Sequence, residues 1–152
     1  MSGGAPKLNI DASGLQVAVL VTSWHTQITD GLLSGAERAL KAAGNTEYEV
    51  WRVPGAFELP LAAQYAIEAG ADVVIALGVV VRGDTPHFDY VCNAATDGLT
   101  RVQLDSGVPI GFGLLTVDTE QQALDRAGLP NSREDKGAEA VEAAVLMARL
   151  KS

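Results

Sequence analysis

Residues 72–81 read DVVIALGVVV, an almost unbroken apolar run opened by a single acid. A strand of this kind has no polar face to give to water. It belongs at the centre of a parallel sheet covered on both sides. Parallel neighbours need crossover connections, and the rest of the chain supplies them. QVAVLVTS (16–23), EYEVWRV (47–53) and IGFGLLTV (110–117) read as three further strands. From Thr26 the apolar residues Ile28, Leu32, Ala36, Ala39 and Leu40 recur at helical spacing, and Gly44 stops that helix. A second helix is expected from about Phe57 to Ala69, ended by Gly70. A third runs from Pro86 or His87 to Leu104, with Pro86 suited to the first turn. A short helix over 119–127 and the linker LPNSRED precede a last helix over 136–150, where Ala140, Val141, Ala144, Val145 and Ala148 share one broad face. The order is βαβαβαβαα, and such alternation predicts an α/β fold with helices on both faces of a four-stranded parallel sheet.

The polar, glycine-rich residues 1–14 read as an N-terminal arm, and residues 15–152 as a single domain. Net charge is -8, which argues against nucleic acid or an anionic membrane as partner. Cys92 is the one cysteine, so neither an internal disulfide nor a cysteine-based metal cluster is expected. Two histidines far apart, with no HExxH or CxxC, predict no metal site. The N-terminal stretch lacks an apolar segment of signal-peptide type, and no run approaches the roughly 18 apolar residues of a membrane span. The expectation is a cytoplasmic protein.

Ligands of parallel sheets bind beyond the carboxyl ends of the strands. After the first strand come Trp24 and His25. A tryptophan there can be a flat platform for a ring or a cap on the core. After the second come Gly55, Ala56, Phe57 and Glu58, whose carboxylate could grip hydroxyls or simply favour a helix N-terminus. After the third comes VRGDTPHFDY (81–90), in which Gly83, Asp84 and Thr85 lead into a helix whose first amides attract anions. Asp84 or Thr85 could equally be a plain N-cap. His87, one turn in, is a side chain able to move protons near neutral pH. The turn is neither a P-loop nor a dinucleotide fingerprint. Beyond the fourth strand, Arg126 could complement a helix C-terminus or hold a phosphate in its planar fork. Lys136 opens a helix, where a cation is slightly unfavourable.

Taken together, VPGAFELP, ALGVVVRGDTPHFDYVCNAATDGL, PIGFGLLTVDTEQQALDRAG and KGAEAVEAA resemble the 6,7-dimethyl-8-ribityllumazine synthases, over about residues 15–150. The resemblance implies a flavodoxin-like, three-layer α/β/α fold and a homopentamer with active sites between subunits. It implies condensation of 5-amino-6-(D-ribitylamino)uracil with 3,4-dihydroxy-2-butanone 4-phosphate, with no cofactor and no metal. Riboflavin synthase would then be the downstream enzyme. By the same resemblance Trp24 stacks on the pyrimidine, and His25 stands where an Asn usually makes a polar contact. Ala56 and Phe57 offer backbone contacts, and Glu58 binds ribityl hydroxyls. Val80, Val81 and Arg82 line the pyrimidine site, and Gly83, Asp84 and Thr85 form the phosphate turn. His87 transfers protons. Phe112, Arg126 and Lys136 come from the neighbouring subunit, with Arg126 on phosphate.

The chain departs from the common Ser-Arg-Phe-Asn pattern at 22–25, where it reads Thr22, Ser23, Trp24, His25. Its linker from Gly128 to Lys136 is also longer than in family members that build closed shells, and it carries Pro130. That predicts a pentamer or paired decamer rather than a capsid. The competing readings are a non-catalytic flavin- or lumazine-binding protein of the same fold, a shell protein with a residual site, and a decameric second-type synthase. His87, Arg126 and Lys136 weigh against a pure ring binder, which has no use for a site that expels phosphate.

Overall fold

The structure, a computed structural model, describes residues 9–151. Its strands are β1 (Val17–Thr22), β2 (Glu49–Val53), β3 (Val73–Val81) and β4 (Ile110–Val117). Its helices are α1 (Thr26–Ala42), α2 (Leu59–Glu68), α3 (His87–Ser106), α4 (Glu120–Leu124) and α5 (Lys136–Lys151), with a 3-10 turn at Ala56–Glu58 before α2. The strands form one parallel sheet in the order β2-β1-β3-β4. Val19 stands beside Val50 on one side and Ile75 on the other, and Ile75 stands beside Gly111.

Side-chain alternation divides the apolar strands between two cores. Val19, Val21, Ile75, Leu77, Leu115 and Val117 pack with Leu32, Ala36 and Leu40 of α1 and Val141, Ala144 and Val145 of α5. Leu20, Val74, Ala76 and Leu114 pack with Leu59, Ala63 and Ala66 of α2 and Ala95 and Leu99 of α3. This is a flavodoxin-like three-layer α/β/α arrangement. Its logic follows from right-handed crossovers. The chain steps one way from β1 to β2, then back across the sheet to β3 and β4. The reversal puts α1 on one face and α2 with α3 on the other. It also opens a crevice beyond the carboxyl ends of β1 and β3.

Small residues bring the layers close. A Cβ on Gly137 would lie 2.0 Å from the Leu32 carbonyl oxygen, so α5 crosses α1 at backbone contact. One on Gly111 would lie 2.3 Å from the carbonyl oxygen of Ala140, and one on Gly78 would lie 2.7 Å from Thr22 Oγ1.

The elements differ from the sequence expectations mostly at their ends. Phe57 lies in the 3-10 turn, and α2 starts two residues later with Pro60 in its first turn. The helix expected over 119–127 is only α4, opened by a Thr119–Gln122 capping box. Beyond it the chain forms a bridge between Ala127 and Asp135. Tertiary hydrogen bonds from Gly128 N to the Glu134 carbonyl and from Lys136 N to the Arg126 carbonyl end the helix early. Of the arm expected over 1–14, residues 1–8 lie outside the described residues. Ala12 is fully buried, and Arg149 donates to the carbonyl oxygens of Asp11 and Ser13.

Candidate active site

The crevice beyond β1 and β3 holds a cavity of about 690 Å³. Trp24, His25, Gly55, Ala56, Phe57, Glu58, Val79, Val80, Val81, His87, Tyr90 and Val91 line it. Its size and mainly apolar walls suit a small ring-bearing molecule. Three strand ends and the N-termini of α1, α2 and α3 converge on it.

The β1 side is built by a strained turn. His25 immediately precedes α1 with φ 55° and ψ 64°, and it is the one described residue other than glycine with positive φ. Its carbonyl accepts from Ile28 N and Thr29 N, so the left-handed turn starts the helix. Asn and His enter this region more readily than bulkier residues, because crowding at Cβ opposes it. That accounts physically for a His where the resembling family commonly has Asn. Trp24 is 67% exposed, so it is not a cap on the core. Gly55 lies against it: a Cβ there would come within 3.3 Å of both Trp24 Nε1 and Glu58 Oε1.

The α3 side carries His87. No side chain caps this helix in the usual way, and Pro86 occupies the cap position. Neither Asp84 nor Thr85 is therefore a regular N-cap. Thr85 Oγ1 receives only a long 3.4 Å hydrogen bond from His87 N. The first-turn amides thus keep their attraction for an anion. Tyr90 and Val91 follow His87 at three and four residues, which places all three on one helix face.

Arg82 points elsewhere. Its Nε donates to Asp118 at 2.7 Å, its Nη1 lies 3.7 Å from Asp89, and its guanidinium stacks 4.4 Å over the Phe88 ring. The Asp118 hydrogen bond is the largest influence raising its pKa. Phe112, Arg126 and Lys136 also lie outside the cavity lining. Phe112 is half exposed on edge strand β4. Arg126 Nη1 donates to the Gln122 carbonyl at 2.8 Å, and Lys136 pairs with Glu134 and Glu139. The pairing with two carboxylates removes the misfit of a cation at a helix start. Burial pulls the pKa of Lys136 down, but its hydrogen bonds to Glu134 and Glu139 leave it raised overall.

Of the expected residues, the cavity brings together Trp24, His25, Ala56, Phe57, Glu58, Val80, Val81 and His87. Gly83, Asp84 and Thr85 adjoin it in the β3–α3 turn without lining it. Sequence reasoning missed Val79, Tyr90 and Val91. The helical spacing from His87 was a sufficient signal for Tyr90 and Val91. Among the described residues no group of His, Cys, Asp and Glu is placed to hold a metal ion, and no helix is long and apolar enough to cross a membrane.

Fold and site together define a flavodoxin-like α/β protein with a ring-sized cavity at the switch point of a parallel sheet. The family model for 6,7-dimethyl-8-ribityllumazine synthase matches residues 14–152. The chain is 65% identical over 146 residues to the 6,7-dimethyl-8-ribityllumazine synthase of Kineococcus radiotolerans, covering 95% of this chain and 91% of that protein. It is 60% identical over 151 residues to the enzyme of the same name from Leifsonia xyli subsp. xyli, covering 97% and 95%. The chain belongs to the 6,7-dimethyl-8-ribityllumazine synthase family.

Proposed function

We propose that this protein condenses 5-amino-6-(D-ribitylamino)uracil with 3,4-dihydroxy-2-butanone 4-phosphate, giving 6,7-dimethyl-8-ribityllumazine, phosphate and water. This is the penultimate step of riboflavin synthesis. The observation that carries the reading is the convergence of Trp24, Glu58 and His87 on one cavity. A ring platform, a carboxylate for hydroxyls and a proton carrier are what the two substrates require.

In this reading the pyrimidine stacks on Trp24 beside Val80 and Val81, with His25 as a polar contact. The backbone of Ala56 and Phe57 holds the ring edge, and the backbone of Arg82 continues that wall. Glu58 binds the ribityl hydroxyls. Gly83, Asp84 and Thr85 receive the phosphate at the start of α3. The 5-amino nitrogen attacks the ketone carbon, His87 relays the proton, and loss of water leaves an imine. Phosphate departs, and the resulting enol tautomerises to a ketone. The 6-ribitylamino nitrogen attacks that carbonyl, and loss of a second water closes the ring. Holding two substrates together supplies much of the acceleration.

Phe112, Arg126 and Lys136 are assigned to the neighbouring copy's site. Their position outside this chain's cavity fits a shared site. In this reading the protein is a homopentamer, alone or paired into a decamer, and residues 15–152 act as one domain. We place the protein in the cytoplasm, with riboflavin synthase consuming its product.

The test is to mix purified protein with both substrates and follow lumazine absorbance above the uncatalysed rate. Acceleration that saturates in both substrates supports the synthase. No acceleration by a folded assembly overturns it.

A further inference from the structure

Arg126 and Lys136 share one carboxylate. Glu134 Oε1 is shut off from solvent and lies 2.9 Å from Lys136 Nζ. The other oxygen lies 3.6 Å from Arg126 Nε, too far for a hydrogen bond. The backbone fixes the arrangement, because Lys136 N donates to the Arg126 carbonyl at 3.0 Å and Glu134 N to the Asp125 carbonyl at 3.0 Å. Glu139 completes it, 3.0 Å from Lys136 Nζ. Two cations thus face two carboxylates. The side chains of Glu134 and Lys136 are only 12% and 16% exposed, so water screens this charge incompletely.

We propose that Glu134 is an internal counter-ion that weakens the hold of Arg126 on phosphate and so eases its release. The proposal rests on the reading that Arg126 meets the butanone phosphate. The unequal distances give its mechanism. Lys136 keeps Glu134 in a 2.9 Å ion pair. Arg126 holds it loosely, so an arriving phosphate displaces Glu134 from the guanidinium alone. The carboxylate then stays close to the bound phosphate and repels it. A site that must bind a phosphate ester and shed inorganic phosphate gains from such a neighbour. Glu134 is accordingly a positioning residue that acts through Arg126.

Inorganic phosphate, as a competitor of the butanone phosphate in the assembled protein, tests this. Glu134→Gln removes the charge and keeps the shape. Its expected effect is roughly fivefold tighter inhibition by phosphate, the size of one modest ion-pair effect. The KM for the butanone phosphate should fall in parallel while the KM for the uracil is unchanged. A carboxylate that merely braced Arg126 would give the opposite sign, weaker phosphate binding on its removal. Unchanged or weakened inhibition therefore overturns the proposal. If Glu134→Gln does not assemble, Glu134→Ala gives the same readout with the same expected direction. No condensation above the uncatalysed rate would overturn the functional reading and this proposal with it. Competition left unaltered in the variant would overturn the proposal alone.

Discussion

His25 sits in a left-handed conformation that costs a β-branched residue most. His25→Val should therefore destabilise the protein by about 1–2 kcal/mol, and His25→Asn should be nearly neutral, as read by chemical denaturation. His87→Ala should lower kcat by about 10²-fold or less, because proximity remains when the proton relay is gone. Complete loss of turnover in a folded assembly would contradict that weighting. Tyr48 offers a test by pH. Burial first, and then its hydrogen bond to Glu37, push its phenol from 10.0 up to about 12. Folding thus favours the neutral phenol. The stability it contributes is complete below pH 10 and is lost as pH rises toward about 12. In an alkaline absorbance titration, one of the three tyrosines should ionise late and in step with the loss of structure.

At the scale of elements, the sheet and its helices depend on backbone approach as much as on apolar side chains. Gly137→Ala would drive a methyl into the Leu32 carbonyl at the α1–α5 crossing. The helix-propensity gain of roughly 1 kcal/mol cannot offset a clash with backbone. Net destabilisation of about 2–3 kcal/mol is expected in a denaturant titration. Gly83 makes the contrast. A Cβ there meets nothing within 4 Å, and its φ is not in the left-handed region. Gly83→Ala should leave stability within about 0.5 kcal/mol of the parent. Any effect on the KM for the butanone phosphate would then report on the β3–α3 turn as a phosphate site.

Across the whole molecule, several large apolar side chains outside the cavity stand exposed. Edge strand β4 presents Phe112, while Leu61 and Tyr65 of α2 stand half exposed near edge strand β2. The 128–136 linker is tightly held. Arg38 donates to the Gly128 carbonyl at 3.2 Å and to Asp135 at 3.0 Å, and Ser132 donates to the Leu124 carbonyl. A linker fixed in this way sets the direction of α5 rigidly. Light scattering should return the mass of five chains or ten, not that of a closed shell. A monomer with full activity would overturn the shared-site reading. Within the assembly, Arg126→Ala should chiefly raise the KM for the butanone phosphate, and an unchanged value would remove Arg126 from the phosphate.

The sequence by itself determined the order of the elements and the face each side chain takes. Apolar runs and helical spacings are local, and alternation in a strand leaves no choice of side once the register is set. It also located the cavity, because ligands of such sheets gather beyond the carboxyl ends of strands. Trp24, Glu58 and His87 stand at those strand ends, but position alone leaves Trp24 open to packing and Glu58 to a helix-dipole role, and only the family resemblance favours the site. Tertiary structure decided what depends on contacts between distant residues. The early end of α4 follows from hydrogen bonds to residues 134 and 136, which no local pattern announces. Arg82 follows VVV in sequence but turns to Asp118 and Phe88, because a long cation takes the nearest carboxylate and ring that folding provides. Glu134 looked like one acid in a linker until the chain folded back and set it between Arg126 and Lys136. Charge pairing of that kind depends on distances of a few ångströms, and only the folded chain fixes them.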